Sequence, residues 1–382
     1  LEKIMRILVP MFSIQDYGGI TSHIEYMIRG LAEADHQVEL VLLKNTDIPP
    51  YVKQFEAPGR SYGSLTGGNV HLMKGWYGVE VMSYGTAQRA KDFVNHASEY
   101  DYVIWGLPCP YADEGHWREL FTSGVPQVAV IHDAHYERAY GHFKDVADYL
   151  RFVAPVNESA LGALKKFPGE VRLINNGHEL QDWSKQKPWE ARSRSAICAH
   201  VWKGWKRMDK VVRATPFLTR SDMVMAGDGI EGRYMRSKEK CRHQYNGIWQ
   251  EFLNAGGSYL GILTPDQLMD QYANGRVMVD LSWNDKFAAY GCHYNRSIVE
   301  GANYGCVPLV CWETFKNTEI FKEGDYIPVQ AVWAKSSAAE IADAIDAAAN
   351  LHPVDAECCL DMLRRILQKH FDYRVNSLRY LY

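Results

Sequence analysis

Residues 5–10 form a mostly apolar run that opens into Tyr17-Gly18-Gly19, after which Thr21 and Ser22 can cap a helix running to about Ala34. A second apolar run follows at residues 38–43. Strand, glycine turn, helix and strand in this order open a parallel α/β unit, because parallel neighbours require a right-handed crossover and a helix supplies it. Apolar runs at 102–105 and 128–131 extend the set. A second set begins after residues 171–174, with candidate strands at 196–199, 223–226, 277–281 and 307–310, and residues 355–382 read as helical.

The length of 382 residues exceeds what one hydrophobic core usually serves. Two domains of about 180 residues are therefore expected, with the boundary near residue 180. Apolar residues make up 47% and charged residues 23%, which excludes the composition of a disordered chain. A net charge of −4 lacks the basic excess of a tight, non-specific nucleic-acid binder and leaves room only for a local basic groove. No run of about 18 apolar residues is present, so no membrane partner is expected. The eight cysteines are scattered with no C-x-x-C pair and read as reduced thiols of a cytoplasmic protein, with Met5 as the natural start. The 23 tyrosines and 11 tryptophans mostly fill core and rim, but such rings also stack on bases and sugars.

Ligands of open α/β sheets bind at the carboxyl ends of the strands. Gly18 and Gly19 stand at the first such end, where backbone N–H groups and a helix N-terminus can approach a phosphate or sugar oxygen. His132-Asp133, with His135 close behind, follows the apolar run 128–131, and this pairing at a strand end suits acid–base or binding work. His132 and His135 lack a third ligand nearby, so no metal is expected. The strand at 171–174 enters Asn175-Asn176-Gly177, residues suited to a left-handed turn. Trp202-Lys203-Gly204 follows the strand at 196–199; a lysine there can neutralise a diphosphate, and the glycine permits close backbone approach. Residues 227–232 satisfy G-x-G-x-x-G, so a dinucleotide-binding oxidoreductase must be weighed, although Glu251 falls in a helical segment rather than at a strand end. Residues 51–78 show little periodicity and read as a long functional loop in which Lys53, Arg60, His71, Lys74 and Trp76 combine cationic and aromatic groups.

The glycine opening, His132-Asp133, Asn176-Gly177, Lys203-Gly204, Gly227-Asp228-Gly229 and the segment from Glu300 to Pro308 occur in the order and spacing of retaining glycosyltransferases of the GT-B fold. Within that fold the chain is most similar to bacteriophage DNA α-glucosyltransferases that decorate 5-hydroxymethylcytosine, through Gly19-Ile20-Thr21, His132-Asp133 with His135, Trp202-Lys203-Gly204 and Arg296-Ser297 before Glu300. The resemblance implies an α/β protein of two Rossmann-like domains facing each other across a cleft. It implies acceptor binding by residues 1–180, nucleotide-sugar binding by 181–360 and a helix at 361–382 returning to the first domain. The donor implied is a UDP-sugar, with no cofactor and no metal, bound by Gly18, Gly19, Lys203, Gly204, Gly229 and the ribose ligand Glu300. The acceptor implied is double-stranded DNA carrying a hydroxymethylated pyrimidine, held by Lys53, Arg60, Lys74, Trp76 and His135, in a host-cell cytoplasm. His132, Asp133 and Lys203 are the catalytic candidates. Two positions depart from the pattern: the usual arginine five residues before Lys203 is Cys198, and a further glutamate eight residues before Glu300 is Cys292. His200, Lys206 and Arg207 remain candidates for the missing charge. A lipid, glycan or protein acceptor is the competing reading within this fold.

Overall fold

The structure, a computed structural model, describes residues 3–11, 19–42, 61–63, 69–71, 80–83, 95, 97–106, 115–132, 143, 146–200, 202–227, 239–284, 289 and 291–382. The chain divides into two compact units, Leu1–Glu179 with Phe371–Tyr382, and Leu180–His370.

In the first unit the strands β1 (Arg6–Met11), β2 (Gln37–Leu42), β5 (Glu80–Ser83), β6 (Tyr102–Trp105), β7 (Gln127–Ile131) and β8 (Phe152–Pro155) form one sheet in the order β5-β2-β1-β6-β7-β8. Every pairing in it is parallel. Two short strands, β3 (Ser61–Gly63) and β4 (Asn69–His71), pair antiparallel inside the stretch expected to be loop. All five residues of β7 are buried: four are apolar, as a parallel sheet covered on both faces requires, and the fifth, Gln127, accepts from Trp105 Nε1 and donates to the Leu120 carbonyl. Val103, Trp105 and Phe121 fill one side, where the Trp105 and Phe121 rings stack 5.3 Å apart. Ile7, Ile24, Ile28, Val128 and Val130 fill the other, joined by Tyr380 and Leu381 of the chain's end. Arg151 secures that end by donating to the Leu381 carbonyl at 2.9 Å.

The first helix starts at Gly19 and ends at Glu33, so Thr21 and Ser22 lie inside its first turn instead of capping it. Residues 171–174 run beside β8 through one bridge, with Arg172 N and Ile174 N donating to the Val153 and Pro155 carbonyls at 3.0 Å each, and form no strand of their own. The turn that follows is not left-handed, since none of residues 175–177 has a positive φ. Gly177 answers a different need. A Cβ there would stand 2.7 Å from the Tyr373 backbone, too close to be accommodated without movement.

In the second unit β9 (Ser195–Ala199), β10 (Asp222–Ala226), β11 (Ser258–Tyr259), β12 (Val277–Asp280), β13 (Val307–Cys311) and β14 (Gln330–Val332) form a sheet in the order β11-β10-β9-β12-β13-β14, again wholly parallel. Both sheets thus follow the doubly wound order in which the direction of winding reverses beside the first strand, at β1/β6 and at β9/β12. The helices Pro265–Asn274 and Ala338–Ala349 each begin with a full capping box, from Thr264 with Gln267 and from Ser337 with Glu340. Among the described residues no helix is long and apolar enough to cross a membrane.

Candidate active site

The reversal of winding in the second sheet leaves a crevice at the carboxyl ends of β9 and β12, and the polar residues of this unit collect there. Asp280 closes the buried run of β12 and is 2% exposed. Its carboxylate accepts the Ser282 amide at 2.9 Å and the Asn295 side-chain amide at 2.5 Å, and His200 Nε2 lies 3.3 Å away. Asn295 Nδ2 also donates to Ser282 Oγ at 2.9 Å, while its Oδ1 accepts from Lys206 Nζ. Burial alone would raise the Asp280 carboxyl, but His200, Lys206 and the Ser282 contact outweigh it and hold the group well below the usual carboxylate range.

Lys203 and Lys206 bracket a single tight turn, Gly204–Lys206, in which the Lys206 amide donates to the Lys203 carbonyl at 2.9 Å. Burial pushes the Lys206 ammonium down to about 8 against the pull of Asp280, and the neighbouring charge of Lys203 lowers it further. Gly204 is exposed, and a Cβ placed on it would meet nothing within 4 Å. Among the described residues, packing therefore gives no reason for glycine at this position. Gly227 does have a packing reason. Its φ is +108°, and a Cβ would come within 2.3 Å of the His200 carbonyl oxygen, so the start of the Gly-Asp-Gly loop is pressed against the loop after β9.

Glu300 sits on the helix Arg296–Asn303, where Arg296 Nε donates to its Oε1 at 2.5 Å. Both side chains are largely buried, so the carboxylate is fixed in direction. The fully buried Tyr272 ring lies within reach of that charge, and its hydroxyl has no hydrogen-bond partner among the described residues. Asn295 occupies the N-cap position of the same helix but does not cap it, because its side chain is committed to Asp280, Ser282 and Lys206.

In the first unit His132 follows β7 directly, and its Nε2 lies 3.0 Å from the Gly106 carbonyl at the end of β6. A carbonyl can only accept, so Nε2 carries a hydrogen and donates it. The His23 ring meets His132 edge to face at 5.1 Å, and His23 Nε2 is 2.9 Å from the Tyr380 hydroxyl. His132 is thus backed by groups from the first helix and the chain's end. Gly19 begins that helix. Gly18, Lys53, Arg60, Lys74, Trp76, Asp133, His135 and Gly229 lie outside the described residues.

The structure brings Lys203 and Gly204 to the crevice edge of the second sheet, joins to them Lys206, one of the three candidates for the missing charge, and adds Asp280, Ser282 and Asn295, which the sequence did not single out. The one sequence signal was a carboxylate ending an apolar run at Asp280. Among the described residues no group of three or more His, Cys, Asp or Glu side chains is placed to hold a metal ion.

No protein-family model and no curated protein matches this sequence. Solved structures match in fold. Structures of Anabaena HepE in complex with UDP-glucose and with UDP align over 99% of this chain and 98% of theirs, with TM-scores of 0.64 and 0.67 at 14% identity. An alpha-glucosyltransferase in complex with UDP-glucose and DNA containing an abasic site aligns over 99% of both chains, with a TM-score of 0.68 at 12% identity. The same figures hold for its complex with UDP and a 13-mer DNA containing an HMU base. The fold of this chain is that of the GT-B glycosyltransferases.

Proposed function

We propose that the chain is a retaining glycosyltransferase that moves a sugar from a UDP-sugar to a hydroxymethylated pyrimidine in DNA. The observation that carries the donor reading is the full-length likeness to two glycosyltransferases with UDP or UDP-glucose bound, together with a pair of lysines at the winding reversal of the second sheet. In this reading the second unit binds the nucleotide sugar and the first binds the acceptor. Departure of UDP from the anomeric carbon builds negative charge on the diphosphate, and Lys203 stabilises it most in the transition state. Asp133 orients or deprotonates the incoming hydroxyl, and His132 binds the donor sugar or phosphate.

The DNA acceptor is supported by the alpha-glucosyltransferase complexes with DNA and by the cationic and aromatic residues Lys53, Arg60, Lys74 and Trp76. Likeness of similar strength to HepE, whose complexes are with UDP, UDP-glucose or UDP and glucose, supports a different acceptor as the second reading. Incubation with UDP-sugars and duplexes containing hydroxymethylcytosine, hydroxymethyluracil or no modification separates the two. A mass increase of one sugar confined to modified DNA is expected. If every duplex keeps its starting mass while the enzyme hydrolyses a UDP-sugar, the donor reading stands and the DNA acceptor is wrong.

For Glu300, bound to ribose hydroxyls that the reaction does not touch, the Glu300→Gln substitution is expected to raise the donor KM with little change in kcat, because such contacts are nearly equal in ground and transition states. A fall in kcat at unchanged KM would place the carboxylate beside the reacting bond instead.

A further inference from the structure

We propose that Lys206 is a second diphosphate-binding cation of the donor site, acting beside Lys203 on the two phosphates of a nucleoside diphosphate. The proposal rests on the donor reading above and adds to it a residue that the sequence left as one of three candidates.

The structure separates the three. His200 is buried and turned toward Asp280, with Nε2 3.3 Å from the carboxylate. Arg207 donates from Nη2 to the Ala334 carbonyl at 3.3 Å and lies 5.4 Å above the Trp283 ring, so it is engaged with the loop after β14. Lys206 ends the turn after β9 and is tied through Asn295 to the carboxyl end of β12, where the winding reverses. Its ammonium is held by Asn295 Oδ1 and stands 4.1 Å from the centre of the Trp205 ring.

Three further facts point to an anion as its partner. Asp280, the nearest carboxylate, is already engaged by Asn295 and Ser282. Asn295 bridges the two, accepting from Lys206 and donating to Asp280. Lys203 and Lys206 are tied to one turn of backbone, and the charge of Lys203 lowers the proton affinity of Lys206. Finally, Asn295 stands at the N-cap of the helix Arg296–Asn303 without capping it, so the positive end of that helix faces the same place. Beneath them Cys198 carries a small neutral thiol, raised by burial and by Asp280, close enough to sense the Lys206 charge. The groups that face Lys206 are therefore Asp280, His200, Lys203 and Cys198, with His293 beyond the Trp205 ring.

The test is calorimetric titration of UDP into the wild type, Lys206→Met and Lys206→Arg across the alkaline range. UDP's terminal phosphate ionises at about pH 6, and the titration is kept below the pH at which the uracil N3–H ionises, so that only the protein changes charge. Wild-type affinity is expected to fall about tenfold as the pH rises past the Lys206 value of about 8, since the neutral amine no longer attracts the diphosphate. Lys206→Met is expected to bind about tenfold or more weakly at neutral pH and to lose that dependence. Lys206→Arg is expected to keep the affinity and flatten the profile, because a guanidinium stays charged. Lys206→Met binding UDP as tightly as the wild type would overturn the proposal. So would an unchanged alkaline fall in Lys206→Arg, which decides the matter even if Lys206→Met does not fold. A wild type that binds no UDP at any pH would overturn the donor reading itself, and this proposal with it.

Discussion

Lys203→Ala is expected to lower turnover by about two to three orders of magnitude, the range for loss of one preorganised group that stabilises developing charge. Lys203 precedes the tight turn with an extended backbone, φ −125° and ψ 145°, and that turn ties its backbone to that of Lys206. The measurement is single-turnover release of UDP by purified, folded variant. Because Lys203 and Lys206 share one anion, the double substitution should cost less than the product of the two single effects. Near-wild-type turnover in Lys203→Ala would remove it from the mechanism.

Asp280→Ala is expected to remove about 3–5 kcal/mol from the unfolding free energy of the second unit, the penalty for deleting one partner of a buried charged network. The loss would leave Asn295, His200 and Lys206 without the anion that organises them. Urea unfolding followed by tryptophan fluorescence reads it. The sign of the pH dependence follows from the lowered carboxyl. A group held below its unfolded value of about 4 contributes fully above that pH and loses its contribution as acid approaches the folded value. Wild-type stability should therefore fall below about pH 4 more steeply than that of Asp280→Ala. Parallel acid limbs would show that the carboxylate gains nothing from its neighbours.

The eight strands β1, β2, β6, β7, β9, β10, β12 and β13 were legible as apolar runs, and all of them are inner strands of the two sheets. The other four strands of these sheets, β5, β8, β11 and β14, end the two sheet orders and were not legible, nor was the separate pair β3 and β4. An edge strand need not be a continuous apolar run, and both residues of β11 are exposed. β8 is different: it is buried throughout and bridged on its outer side by Val171, and its Pro155 argues against a strand when read in sequence. The same distinction applies to the site. Lys203, Glu300 and His132 could be singled out because each stands next to a recognisable strand end or helix. The cluster around Asp280 could not, because residues 200, 206, 280, 282 and 295 meet only once β9 and β12 are paired in register. Cys198 and Cys292 were legible as departures, but what stands near Cys198 instead is a matter of three dimensions.

The central claim is that the second unit recognises a UDP-sugar, and thermal unfolding with and without ligand tests it directly. A ligand that binds only the native state raises stability by about 2.7 kcal/mol at a hundredfold excess over its Kd. The melting temperature is expected to rise with UDP and UDP-glucose and to stay unchanged with NAD. A rise with NAD and none with UDP or UDP-glucose would contradict the account and return residues 227–232 to the dinucleotide reading.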